Sequence, residues 1–107
     1  MIINGTAIRM IRGDTEVLTV SCEQEDGTPR PFVEGDTVYL TVSSVLQKQV
    51  TAFTEAGAAV FCLSHEETND IPASRYKYDV QLTAKDGTVT TIIPPSDFVL
   101  EGDVTRE

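Results

Sequence analysis

Hydrophobic residues recur at every second position in several short runs of this chain, and the clearest run lies between Arg75 and Ile93. Tyr76, Tyr78, Val80, Leu82 and Ala84 alternate with Lys77, Asp79, Gln81, Thr83 and Lys85, so an extended strand here carries one apolar and one polar face. Asp86-Gly87 follows. Gly favours positive φ and Asp tolerates it, so the pair predicts a two-residue type I′ hairpin loop. Such a loop sets Lys85 opposite Thr88, Ala84 opposite Val89, Leu82 opposite Thr91 and Val80 opposite Ile93, which keeps the apolar side chains on a common face.

Shorter runs of the same kind fill most of the remaining chain. Ile3 to Ile11 predicts a first strand, with Ala7, Ile8, Met10 and Ile11 apolar and Gly13-Asp14 ending it. Glu16 to Cys22 predicts a second, in which Leu18, Val20 and Cys22 share a face. Glu23 to Pro31 is turn chemistry, with a tight turn at Asp26-Gly27 and two prolines that bar a central strand. After a turn at Glu34-Gly35-Asp36, Thr37 to Ser43 predicts a third strand with Val38, Leu40 and Val42 inward. Ser44 to Thr54 has a weaker pattern and is read as strand because it is short and rich in β-branched residues. Glu55-Ala56-Gly57 turns the chain into a strand over Ala58 to Leu63. Val60 and Cys62 lie on one side of it and Ala59, Phe61 and Leu63 on the other, so both faces are expected to be partly buried. Ser64 and Glu67 have capping-box spacing, which predicts a single helical turn near 66–70, stopped before Pro72. Pro94-Pro95-Ser96 breaks the pattern, and Asp97 to Leu100 with Glu101 to Thr105 gives a last strand or two.

Seven or eight short strands at about ten-residue spacing predict an all-β chain folded as an antiparallel, immunoglobulin-like β-sandwich. The likeness to antibody domains is in outline only, because the chain has no Trp and so lacks their Cys…Trp…Cys spacing. A chain of 107 residues has room for one core, so residues 1–107 are expected to form a single domain. No apolar run approaches the roughly 20 residues that span a bilayer, and Met1 to Gly5 lacks a basic end followed by an apolar run. A protein neither exported by a signal peptide nor inserted in a membrane is expected. The net charge of −9 argues against nucleic acid as a partner, since phosphate backbones require clustered Lys and Arg. The acidic residues are spread along the chain, a distribution that serves solubility.

Residues with reactive chemistry are sparse. His65 is the one histidine, and with Cys22 and Cys62 some forty residues apart no zinc spacing exists. Both cysteines fall in predicted strands; a disulfide needs those strands face to face, and buried free thiols are the expectation. Ser64-His65 are neighbours rather than a nucleophile and base, and no Gly-x-Ser-x-Gly elbow occurs. Glu23, Glu25 and Asp26, or Glu34 and Asp36, are carboxylate groups in turns, where solvent is expected to leave their pKa values ordinary. No EF-hand spacing or phosphate-cradling glycine loop is present. Arg12-Gly13-Asp14 matches an integrin-binding tripeptide, but a strand-ending turn accounts for it. Tyr76 and Tyr78 could form a sugar-stacking platform, yet they share the face of Val80 and Leu82, which predicts core packing. No catalytic residue, no metal ligand and no cofactor is therefore assigned, and the chain is not expected to be an enzyme.

The succession of short motifs carries a resemblance. Ile11-Arg12-Gly13-Asp14-Thr15 leads into Val17–Cys22, then come Asp26-Gly27-Thr28-Pro29 and Gly35-Asp36-Thr37-Val38 opening Tyr39–Ser43. Ala59–Leu63, Glu66–Thr68, Tyr76-Lys77-Tyr78-Asp79-Val80-Gln81-Leu82, Asp86-Gly87-Thr88-Val89, Asp97-Phe98-Val99 and Asp103-Val104-Thr105-Arg106 follow. This order resembles small virion proteins of tailed bacteriophages and prophages, above all the N-terminal immunoglobulin-like domain of the phage baseplate upper protein. The resemblance implies a non-enzymatic structural role in a virion made in the bacterial cytoplasm. It also implies contacts with other virion subunits and homo-oligomers, with neither nucleic acid nor membrane as partner. The sequence ends at Glu107, before the helical and receptor-proximal regions of the baseplate protein, so an accessory component of the tail or neck is expected. The alternative is a carbohydrate-binding or adhesive β-sandwich module, which needs exposed aromatics among Tyr39, Tyr76 and Tyr78.

Overall fold

A computed structural model describes residues 2–4, 7–22 and 27–102. The elements run β1 (Ile2–Asn4), β2 (Ala7–Ile11), β3 (Glu16–Val20), β4 (Thr37–Val42), β5 (Leu46–Val50), β6 (Ala59–Leu63), α1 (His65–Asn69), β7 (Ser74–Thr83) and β8 (Val89–Glu101). Six strands form one sheet in the order β1-β2-β8-β7-β4-β5, and β3 pairs with β6 in a second. The all-β expectation holds.

The expectation of antiparallel strands throughout does not. β2 runs parallel to β8, with Ile8 beside Phe98 and Met10 beside Leu100, so the large sheet is mixed. A hydrophobic period of two is the same in either direction and therefore does not encode it. The single first strand expected over Ile3 to Ile11 is also two, β1 folding back antiparallel on β2 with Ile3 opposite Ile8. Gly5 and Thr6 between them lie outside the described residues, as do Glu23, Glu25 and Asp26 of the expected turn and residues 103–105 of the expected last strand.

The long β7–β8 hairpin keeps the predicted pairing at Val80 but neither the predicted loop nor the common apolar face beside it, since Val89 falls on the polar face and is exposed. Val80 stands opposite Ile93 as expected, whereas Leu82 meets Thr90 and Thr83 meets Val89. The loop has a third residue: the Gly87 amide donates to the Ala84 carbonyl and the Ala84 amide to the Thr88 carbonyl, both at 2.8 Å. Within it Gly87 alone has positive φ, 92°, which is a type I turn closed by a glycine bulge rather than type I′. Asp86 holds the turn by accepting from the Thr88 amide at 2.9 Å. β8 has one residue more than β7 at the step from Val80 to Gln81, which restores the expected pairing of Val80, and another at the step from Tyr78 to Val80, where the register shifts again. The second falls opposite Pro94-Pro95, which have no amide to donate, so the prolines sit in a bulge and β8 continues through them instead of breaking.

β4 lies between β5 and β7 and buries Val38, Leu40 and Val42 completely. The weakly patterned segment after it forms the short hairpin strand β5, with Leu46 opposite Val42. The turn starts at Ser43, whose φ is 41°; its amide donates to the Lys77 carbonyl at 2.8 Å and its Oγ accepts from the Lys77 amide at 3.2 Å. Those bonds to the neighbouring strand offset a conformation that side chains other than Gly rarely adopt.

One core joins the sheets. Leu18 and Val20 of β3 and Ala59, Phe61 and Leu63 of β6 pack in the same cluster as Ile8, Met10, Tyr78, Val80, Leu82, Phe98 and Leu100. Tyr78 meets Phe98 edge-on, ring centroids 6.0 Å apart. The outer side of β6 is not partly buried as expected: Val60 and Cys62 are exposed there, beside exposed Val17 and Thr19 of β3. Only the core-facing side of this two-stranded sheet is covered, so the alternation reads inside against outside.

Candidate functional site

The described residues carry three polar constellations. The first joins the Arg12-Gly13-Asp14 turn to α1. Ser64 caps α1 by accepting from the Glu67 amide, and the Glu67 carboxylate accepts from the Ser64 amide, the predicted capping box. The Thr68 hydroxyl, buried, donates to the Asp14 carbonyl at 2.8 Å and accepts from the Gly13 amide at 3.1 Å. The Arg12 guanidinium donates to the Asn69 carbonyl at 3.0 Å, and His65 Nδ1 lies 2.5 Å from the Gly13 carbonyl, so Nδ1 is the protonated nitrogen. The tripeptide is thus pinned to a helical turn rather than carried on a free loop tip, and half-buried His65 is one of the residues that hold it there.

The second links β5 to the same helix. Lys48 points inward beside Leu40 and reaches the Glu67 carboxylate at 2.8 Å and the Cys62 carbonyl at 2.6 Å. The Lys48 ammonium and the Ser64 amide hold the Glu67 carboxyl below the usual carboxylate range.

The third corrects the expectation of a solvated turn carboxylate at Asp36, whereas Glu34 is exposed as expected. Asp36 is 2% exposed; it accepts from Arg30 at 2.6 Å and from the Val33 amide at 3.0 Å. The Arg30 hydrogen bond holds its carboxyl below the usual range despite burial, which pushes the other way. A cavity of about 220 Å³ beside it is lined by Cys22, Pro29, Arg30, Pro31, Ala56 and Gly57. Its cation is already engaged by Asp36.

Neither cysteine is joined in a disulfide, and the expectation that both are buried within strands does not hold: Cys22 lies beyond the end of β3, half-buried, and Cys62 is exposed on the outer side of β6. Tyr78 is buried, and burial raises its hydroxyl pKa. Tyr76, half-buried, donates its hydroxyl to the Pro72 carbonyl at 2.6 Å, so the pair forms no open stacking platform. Tyr39 is half-buried on the side of the large sheet turned away from the core. Gln49 and Gln81 flank it across β5 and β7. Farther along that face, Asp97 pairs with Lys77 at 2.6 Å and Arg75 at 3.6 Å, and Arg9 pairs with Glu101 at 3.2 Å.

The sequence carried a local signal for the helix cap and for the strand-ending turn, but none for the Arg30–Asp36 or Lys48–Glu67 pairs, whose partners come from separate loops and elements. What the geometry defines is an all-β domain whose buried polar groups tie loops to strands. No known family model matches the chain, and no curated protein matches its sequence.

Proposed function

We propose that this chain is a non-enzymatic structural component of a phage or prophage virion, in the tail, baseplate or neck, and that it works through protein–protein contacts. It is made in the bacterial cytoplasm and taken into the particle with other virion subunits. The fold we assign it is an immunoglobulin-like sandwich. In such a domain β3 and β6 correspond to strands B and E, and β5, β4, β7 and β8 to C′, C, F and G.

The observation that carries the reading of the fold is Tyr76. It stands near the start of β7, just after the α1 connection, and its hydroxyl returns to the Pro72 carbonyl, the geometry of the tyrosine corner at the E–F connection of these sandwiches. Tyr78, two residues on, packs in the core against Phe98, where antibody domains carry a disulfide. The virion setting is supported by the order of turn and strand motifs from Arg12-Gly13-Asp14 to Asp97-Phe98-Val99. Mass spectrometry of particles purified on a density gradient from bacteria carrying the gene tests it. The chain is expected in stoichiometric amounts with tail proteins; intact particles without it overturn the proposal.

A further inference from the structure

β2, near the start of the chain, and β8, near its end, lie side by side and run the same way, with Ile8 beside Phe98, Arg9 beside Val99, Met10 beside Leu100 and Ile11 beside Glu101. The Arg12 amide extends this ladder, donating to the Glu101 carbonyl at 2.8 Å. The chain thus enters β2 just before the Ile8–Phe98 pair and leaves β8 beside Ile11, at opposite ends of the ladder. A pull that separates those two points draws the strands past each other along their own axes. The hydrogen bonds of a parallel pair are evenly spaced, so in that direction all of them carry load together, whereas a strand lifted from one end breaks its bonds singly. Ile8, Met10, Phe98 and Leu100 add to the resistance: each is at most 2% exposed, and sliding drags them through a close-packed core. Both strands are also held from behind. β7 pairs with β8 from Ser74 to Thr83, and the turn after β2 is fastened to α1 through Arg12, Gly13 and Asp14. β1 differs, because its three residues fold back on β2 and the same pull peels them away.

We infer that the domain bears tension applied between its two ends, with the β2–β8 ladder as the element that holds and β1 as a short arm that yields before it. Such a hold is independent of the proposed function and acts wherever the chain is pulled from both sides. Forced unfolding is governed by the unfolding barrier rather than by equilibrium stability. Resistance to pulling and resistance to urea are therefore separable: the first belongs to β2 and β8, the second to the whole core.

Single-molecule force spectroscopy of the full chain, with Cys22→Ser and Cys62→Ser and with handles at Met1 and Glu107, tests it. A short first extension as β1 comes away is expected, followed by one main rupture. The second handle is then moved from Glu107 to Val89→Cys. Val89 is exposed and begins β8, so β2 is now pulled back over itself and lifted bond by bond from Ile8 onward. Its release is expected at severalfold lower force. Between the original handles, Arg12→Pro removes the amide that donates to Glu101 and is expected to lower the rupture force; Arg12→Ala, which keeps that amide, is expected to lower it less. Leu46→Ala in β5, at the opposite edge of the sheet, is expected to lower the urea midpoint and leave the force unchanged. Each variant is checked for native circular dichroism. Equal forces in the two pulling directions overturn the inference, as does a loss of force in Leu46→Ala as large as that in Arg12→Pro. None of these results bears on whether the chain is found in purified particles.

Discussion

The two sheets are held in different ways. The large one is continuous across its middle: β4 buries Val38, Leu40 and Val42, β7 buries Tyr78, Val80 and Leu82, and β8 buries Ser96, Phe98 and Leu100, each at every second position, and each of these strands has a partner on both sides. The small one has a single ladder, β3 with β6. Its place depends on Phe61, Leu63 and Leu18 entering the common core and on polar ties at its ends, Lys48 to Cys62 and Glu67, and Thr68 to the turn before β3. A two-stranded sheet is marginal alone. The small sheet therefore takes its order from the large one.

The comparison is tested most forcefully in the shared core. Phe61→Ala in β6 is expected to destabilise by about 3–5 kcal/mol, and Leu40→Ala in β4 by about 2–5 kcal/mol. Because the two sheets share one core, urea unfolding of both variants should remain a single transition followed alike by tyrosine fluorescence and circular dichroism. Two transitions in Phe61→Ala would show the small sheet melting by itself.

A smaller loss is expected where the loop before β6 meets the loop before β4. Gly57 has φ 77°, and an added Cβ would lie 2.9 Å from Pro31 Cα. Gly57→Ala should cost roughly 2 kcal/mol from the backbone conformation and the contact together, measured as a shift in the urea midpoint at unchanged slope.

Arg30→Ala should cost about 2 kcal/mol at neutral pH, less than a fully buried pair because the Arg30 side chain is 30% exposed. The Asp36 carboxyl is held below its ordinary value in the folded state. Its bond is therefore complete above the unfolded value of about 3.9 and is lost as pH falls through the lowered one. Stability curves of Arg30→Ala and the unsubstituted chain should accordingly converge in acid, and parallel curves down to the acid limit would refute the assignment.

The smallest effect belongs to the helix cap. Ser64→Ala removes the acceptor for the Glu67 amide and is expected to lower stability by about 1 kcal/mol. It should also quicken amide exchange in α1 and the adjoining Arg12–Asp14 turn before it does so in β4. Equal acceleration in both places would mean that α1 does not anchor the small sheet's end.

What could be read from the sequence follows the same division. Val38, Leu40, Val42, Tyr78, Val80 and Leu82 announced their faces because alternation is a local property, and the Ser64–Glu67 cap is local too. Partner choice and direction are not. Nothing in the residues near Ile8 says that it lies beside Phe98 and runs the same way, and the third residue in the loop at Asp86-Gly87 shifted the register near the turn by one. The burial of Asp36 was hidden because its partner, Arg30, lies six residues away across a proline segment with no periodicity. The ion pairs of the outer face emerged only when Arg9, Arg75, Lys77, Asp97 and Glu101, scattered along the chain, were brought onto adjacent strands.

The parallel pairing of β2 with β8 also bears on the order of events during synthesis. On a ribosome the residues of β2 emerge well before those of its parallel partner β8, with β3 to β7 made in between. β2 and β1 must therefore wait, exposed to whatever binds unpaired strands, while β4, β5 and the β7–β8 ribbon assemble from neighbours close in the chain. Translation speed and chaperone capture should influence the yield of native protein through that early segment more than through any other.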